Sequence, residues 1–242
     1  MNDHQSLLKA QSPAGLAEEY IVKSIWHNHF PPGSDLPAER ELAEKIGITR
    51  TTLREVLQRL ARDGWLNIQH GKATRVNNIW ETAGPNIIKT LIQLDKSITP
   101  VIISNVVSLR TKMAEFYIPE AIQNDATQSL KLFENLPHLK DTAKDYAAFD
   151  YALYRSFTFI ADKPVYGLIL NSFKELYLQV ASLFFSSPQA RHLTLSFYQK
   201  LQQSCEHNDA QQAIVHMQEN RENSISIWKD LLHHLPDNFG EL

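Results

Sequence analysis

The sequence holds a single cysteine, Cys205, among 242 residues. One thiol excludes an intrachain disulfide and cannot by itself build a thiolate zinc site. Long apolar runs are missing as well: uncharged apolar stretches such as Val101–Leu109 and Val180–Phe185 fall well short of the ~20 residues a bilayer-spanning helix needs, so no membrane span is expected. The first eleven residues lack the charged start and continuous apolar run of a secretion signal. There is no Gly-rich phosphate loop, no nucleophile elbow and no His-Glu-x-x-His pair. The ten histidines are scattered, and His27, His29, His233 and His234 read as surface or capping residues rather than a metal site. The expectation is a cytoplasmic protein that is not an enzyme, with no catalytic residue, metal or cofactor. What remains, 43% hydrophobic and 21% charged residues, is the composition of an ordinary folded chain, long enough for one large domain or two modest ones.

An excess of positive charge is also lacking, since the net charge is −3. A whole-chain sum hides asymmetry, however. Between Arg40 and Arg75 stand eight basic residues (Arg40, Lys45, Arg50, Arg54, Arg59, Arg62, Lys72, Arg75) and four acidic ones (Glu41, Glu44, Glu55, Asp63). Local positive charge is what phosphate contact requires, whatever the charge of the rest of the chain. A solvated helix face would carry the same charges, so the surrounding pattern has to decide.

Ser12-Pro13 is a helix start, with Leu16, Tyr20, Ile21 and Ile25 at helical spacing behind it and Phe30-Pro31-Pro32-Gly33 as the stop. A second helix is predicted over 37–46, with Leu42, Ala43 and Ile46 inward and Gly47 as a left-handed terminator. Thr49 caps a third helix running to about Asp63, with Leu53, Val56, Leu57 and Leu60 inward and Arg50, Thr51, Thr52 and Arg54 outward. After Gly64 and the core candidate Trp65, Leu66–Gln69 alternates, His70-Gly71-Lys72 turns, and Thr74-Arg75-Val76 returns as a β-hairpin. Three helices and a hairpin make a winged helix-turn-helix, in which the third helix reads the major groove from its N-terminal end and the basic hairpin tip reaches the minor groove or its phosphates.

From Asn77 to Thr82 the pattern changes to that of a linker. Beyond it, helices are predicted over 83–95, 99–121, 126–137, 143–161, 164–185, 188–206 and 208–235, broken at Pro100, Pro119, Pro137, Pro164, Pro188 and Pro236, with Pro119 alternatively inside a longer helix. The predicted fold is mainly α. A winged helix-turn-helix domain over 1–78 carries a small β-hairpin wing, a linker spans 79–83, and an all-α bundle of about seven helices fills 84–242. The bundle is rich in aromatic residues, most of them ordinary core, which could also line an apolar ligand site between helices.

Pro32-Gly33-x-x-Leu36-Pro37-x-Glu39-Arg40-x-Leu42-Ala43, Gly47 to Glu55 and Leu60-x-x-x-Gly64 resemble the DNA-binding signature of the GntR family of bacterial regulators, with Ala38 where a serine is frequent. The resemblance implies operator DNA as partner, with contacts at Arg40, Thr49, Arg50, Thr51, Thr52, Arg54, His70, Gly71 and Lys72. Arg50 and Arg54 are the candidates for guanine readout, because bidentate arginine is the commonest specific base contact. In related sensor domains an Asp on such a helix is followed four or five residues later by a metal-binding histidine. Here Asp150 is followed by Tyr151-Ala152-Leu153-Tyr154-Arg155, so an ion pair of Asp150 with Arg155 or Arg110 is expected instead of a metal.

Further stretches, among them Ala10–Gly15, Asn77-Asn78-x-Trp80-Glu81-Thr82, Val165–Asn171 and Ile227-Trp228, are similar to the acyl-CoA-responsive members of the same family. That similarity implies a homodimer that represses fatty-acid degradation genes, activates unsaturated fatty-acid synthesis genes, and leaves DNA on binding long-chain acyl-CoA as effector. It places the ligand at Ser224 and Trp228, with Arg110, Phe184 and Tyr198 in the same pocket. Two departures stand out: Arg221 replaces a ligand-site glycine, and Phe184 replaces a pocket tyrosine. The rival readings are a regulator of the same architecture sensing a metal-bound carboxylate, and an acyl-CoA enzyme with an accessory DNA-binding domain.

Overall fold

Helix α1 (Pro13–Trp26) starts where Ser12 Oγ accepts the Gly15 N–H at 3.1 Å. It opens the computed structural model, which describes residues 12–236 and 239; Ala10 and Gln11 of the resemblance lie outside the described residues. Helix α1 buries Ala17, Ile21, Val22 and Ile25, while Leu16, expected inward, is 43% exposed. Five residues before Ile21 is about 140° round the helix, which carries Leu16 off the stripe. The chain leaves α1 through Asn28 in the left-handed region, two residues ahead of Phe30.

Helix α2 (Glu39–Ile46) begins two residues later than predicted, because Ala38 offers no side-chain cap, and ends at Gly47 with φ +81°. Helix α3 (Arg50–Arg62) follows as read: Thr49 Oγ1 accepts the Thr52 N–H at 3.2 Å, and Leu53, Val56, Leu57 and Leu60 are all buried. The hairpin is shorter than its alternation suggested. Only β1 (Leu66–Asn67) and β2 (Arg75–Val76) pair, antiparallel, with Leu66 opposite Val76 and Asn67 opposite Arg75. Ile68 and Gln69 leave the ladder for the exposed tip.

An extended segment before α2 completes this small sheet. Gly33 N–H donates to Val76 O, Val76 N–H to Ser34 O and Leu36 N–H to Thr74 O, each at 2.8 Å. Residues 79–83 are not bare chain: helix α4 (Ile79–Thr82) buries Ile79, and the Asn77 amide and Thr82 hydroxyl both donate to Gly64 O, at 3.0 and 2.7 Å. This first compact unit runs to Ile87.

The second unit, from Ile88, is all helix: α5 (Ile88–Leu94), α6 (Thr99–Asn124), α7 (Ala126–Lys131), α8 (Ala143–Ile160), α9 (Pro164–Ser172), α10 (Lys174–Phe184), α11 (Pro188–Glu206) and α12 (Ala210–His233). Starts follow local chemistry. Asp125, Thr142, Ser187 and Asp209 each accept an N–H three residues on, satisfying donors a helix start would otherwise leave open. Helix α6 runs straight through the Pro119 position, and the helix expected over 164–185 is two, because Phe173 turns aside and buries its ring. Helix α6 packs on α8 and α12, α8 on α10, and α12 on α11. The largest fully buried side chains of this bundle include Tyr117, Phe133, Phe157 and Tyr198. Among the described residues no helix is long and apolar enough to cross a membrane.

Candidate nucleic-acid interface and ligand cavity

The first unit presents the basic window as two kinds of charge. Some cations serve the fold itself: Arg59 binds Glu18 at 2.8 Å, Arg75 Nε donates to Gly33 O at 2.9 Å, and Lys45 Nζ lies 5.7 Å from the Tyr20 ring centre. Arg40, Arg50, Arg54 and Lys72 are exposed instead, and these are the four cations expected at DNA. Thr49 and Thr51 are exposed with them. Thr52 is half-buried, its hydroxyl 2.9 Å from that of Thr49, so this pair serves the cap first.

Arg54 has a partner that sequence reasoning missed. Its Nε donates to Glu39 Oε2 at 2.6 Å, joining the first turn of α2 to the second turn of α3. At the hairpin tip His70, Gly71 and Lys72 are exposed. Gly71 has φ +73°, with open space where a Cβ would stand, so backbone can approach a ligand closely there. Lys72 Nζ donates to Gln69 Oε1 at 2.9 Å within the tip. Exposed donors at a helix start and an exposed cation beyond it are the groups phosphates and base edges engage.

The second unit encloses a cavity of about 390 Å³ walled by α6, α8, α10, α11 and α12. One charge pair dominates its interior. Asp150, 4% exposed, accepts Arg110 Nη2 at 2.5 Å and the Tyr177 hydroxyl at 2.5 Å on Oδ2, and the Tyr198 hydroxyl at 2.7 Å on Oδ1. Arg110 also donates through Nε to Tyr177 at 2.8 Å and lies 3.5 Å from the Tyr154 ring centre. Of the two expected partners of Asp150 the structure therefore selects Arg110, and Arg155 donates to Asn171 at 2.8 Å.

Burial pushes the Tyr154 phenol up to about 12 against the pull of Arg110, and burial with the Asp150 charge also holds the Tyr177 and Tyr198 phenols well above the ordinary range. Burial works against the Arg110 charge, but Asp150, Tyr154 and Tyr177 together outweigh it and hold the guanidinium firmly protonated.

Arg110, Phe184, Ser224 and Trp228 all line the cavity, whereas Tyr198 is not in its wall and serves Asp150 instead. Phe184 and Trp228 stack at 4.7 Å between ring centres and 16° between planes. Ser224 Oγ donates to Asn220 O at 2.6 Å, within its own helix. The apolar wall continues through Val180, Ala181, Phe185, Phe197 and Met217, while Lys112 and Lys229 reach the same cavity from exposed positions. Among the described residues no three His, Cys, Asp or Glu side chains stand together as metal ligands.

Residues 14–76 match the family model for bacterial regulatory proteins of the gntR family, and residues 77–240 match the model for the FadR C-terminal domain. Over 241 residues, and over the full length of both chains, the sequence is 56% identical to the fatty acid metabolism regulator protein of Pasteurella multocida strain Pm70. It is 55% identical, again over 241 residues and both full chains, to the protein of the same name in Haemophilus influenzae strain KW20. A solved structure, of Lar, which controls the expression of the Listeria monocytogenes agr system, shares the fold with a TM-score of 0.53 at 15% identity. It covers 94% of this chain and 99% of its own.

Proposed function

The chain belongs to the GntR family of bacterial regulatory proteins and, within it, to the transcription regulators of fatty-acid metabolism, and on that basis we propose that long-chain acyl-CoA releases it from operator DNA. In this reading it represses fatty-acid degradation genes and activates unsaturated fatty-acid synthesis genes. Two copies place α3 in successive major-groove half-sites of a pseudo-palindrome, with the hairpin tips at the minor groove. Arg50 and Arg54 read guanines; Arg40, the threonines of α3 and the tip residues His70, Gly71 and Lys72 hold phosphates or groove floor.

The observation that carries the ligand assignment is the distribution of charge in the cavity. Its interior cation, Arg110, is already neutralised by Asp150, while the Phe184–Trp228 stack and its neighbours supply apolar wall. The remaining cations of the lining, Lys112, Arg221 and Lys229, are half-buried or exposed. Such a site suits a ligand whose apolar chain lies inside and whose anionic head stays at the mouth. A small carboxylate would have to displace a satisfied ion pair to be bound inside, and the three donors on Asp150 leave that carboxylate ill placed to take a metal.

Weakening operator binding a hundredfold requires about 2.7 kcal/mol of coupling, within the ordinary range for allostery. The test is a gel shift of the full chain on its operator with and without oleoyl-CoA. Release by oleoyl-CoA, unaffected by chelator, supports the reading; release by a metal–citrate pair and not by oleoyl-CoA overturns it.

A further inference from the structure

Glu115, on α6, is a carboxylate with only 17% of its side chain exposed, and it holds two cations of the cavity wall. Lys112, three residues earlier on the same helix, lies 2.9 Å away. The second is Arg221 of α12, whose Nη1 donates to Glu115 Oε1 from a side chain 34% exposed. Arg221 and Lys112 line the cavity and Glu115 does not, so the carboxylate stands behind the two cations. Beside Arg221, Asn220 also lines the cavity, and its buried Oδ1 makes no hydrogen bond. The mouth thus offers a guanidinium, an ammonium and an unsatisfied amide, with a single carboxylate setting their positions.

We infer that Arg221, with Lys112, reads phosphate oxygens on the ligand head, and that Glu115 is a positioning residue which spans α6 and α12 and aims the guanidinium. The inference rests on the acyl-CoA reading and deepens it. A guanidinium carries five N–H donors in a fixed fork; the Glu115 bond uses Nη1, and Nε with Nη2 remain as a bidentate edge matched to a phosphate. Arg110 cannot take that part, because Asp150 and Tyr177 hold it inside. Asn220 adds an amide that a ligand with its own amide groups satisfies, removing the cost of a buried unpaired polar atom. The cavity accordingly discriminates by head group. A fatty acyl chain esterified to a phosphate-bearing head binds more tightly than the free fatty acid of the same length.

Titration calorimetry of the full chain with oleoyl-CoA and with oleate tests this. Arg221→Ala should weaken oleoyl-CoA at least tenfold and oleate less than threefold, with a smaller dependence of oleoyl-CoA affinity on salt. Arg221→Lys should restore only part of the loss, since an ammonium lacks the fork. In Glu115→Gln/Arg221→Ala, which leaves no half-buried carboxylate short of a partner, the same selective loss should persist. Equal losses for both ligands, or none, in both the single and the double variant overturn the inference. If the parent binds no oleoyl-CoA at all, the proposed function itself fails, which is a different outcome.

Discussion

Arg54 Nε and Glu39 Oε2 lie 2.6 Å apart, so the arginine of α3 is oriented before any DNA arrives. The bond occupies one edge of the guanidinium and leaves donors on both Nη atoms, which a guanine O6 and N7 can accept. Replacing Arg54 with alanine should cost about 1 to 3 kcal/mol in operator binding and flatten the preference for operator over unrelated DNA. Fluorescence anisotropy with the two duplexes measures both. Unchanged discrimination would remove Arg54 from base readout.

Lys72 sets the contrast. Its ammonium donates to Gln69 within the same hairpin tip, and on the proposed reading this exposed lysine meets phosphate rather than a base edge. Lys72→Ala should weaken binding to every sequence by a similar factor and lower the slope of log K against log salt by about one per site.

Trp228 is stacked on Phe184 inside the cavity of the second unit, far in sequence from α3. Trp228→Ala is expected to raise the oleoyl-CoA concentration needed for release by a factor of ten or more, with operator affinity in the absence of ligand unchanged, as for a buried aromatic anchor. Helical circular dichroism identical to that of the parent would show that the bundle is intact.

Gly64 and Gly47 both have positive φ, yet their substitutions should differ. A Cβ at Gly47 meets open space, so alanine there pays only for its left-handed backbone, about 1 to 2 kcal/mol. At Gly64 a Cβ would stand 2.6 Å from Thr82 O and 2.7 Å from Ala83 Cα, backbone atoms with little room to yield. Gly64→Ala should therefore be the more destabilising by at least ~1 kcal/mol, visible as the lower thermal midpoint for loss of operator binding.

The buried phenols predict an alkaline limit. An unfolded tyrosine ionises near 10, whereas Tyr154 is pushed up to about 12 in the fold, so the folded state keeps a proton that the unfolded state has lost. This contribution is fully present below pH ~10 and disappears as pH rises through about 12; for Tyr154 it amounts to about 2 to 3 kcal/mol. Urea unfolding at pH 8, 10 and 11 should show falling stability across the last two. Tyr154→Phe should make that fall shallower.

What the sequence made legible was local. Thr49 caps α3, Gly47 ends α2, and Leu53, Val56, Leu57 and Leu60 recur at a helical period, so the reading head follows from neighbours a few residues apart. The unread features join distant positions. Glu39 meets Arg54 across a helical corner, Ser34 pairs with Val76, and Arg221 reaches Glu115 over 106 residues. Composition also could not choose between Arg110 and Arg155 for Asp150. Arg155, five residues on in the same helix, lies about 140° round it, while Arg110 faces Asp150 from α6. The break at Phe173 carries neither proline nor glycine, and Tyr198 stands behind the cavity wall because its hydroxyl goes to Asp150 on another helix, a contact that no local pattern announces.

Asp150 receives donors from three helices other than its own, α6 through Arg110, α10 through Tyr177 and α11 through Tyr198. A change at one of these four positions leaves the others with an uncompensated, largely buried polar group, whereas a joint exchange for apolar side chains of equal volume would be nearly neutral in stability. Substitutions accumulating one at a time cannot easily cross that gap. The quartet should be inherited as a block, with divergence confined to the apolar wall and the charged mouth around it, so that descendants of this chain can change what they sense while keeping the same four helices in register.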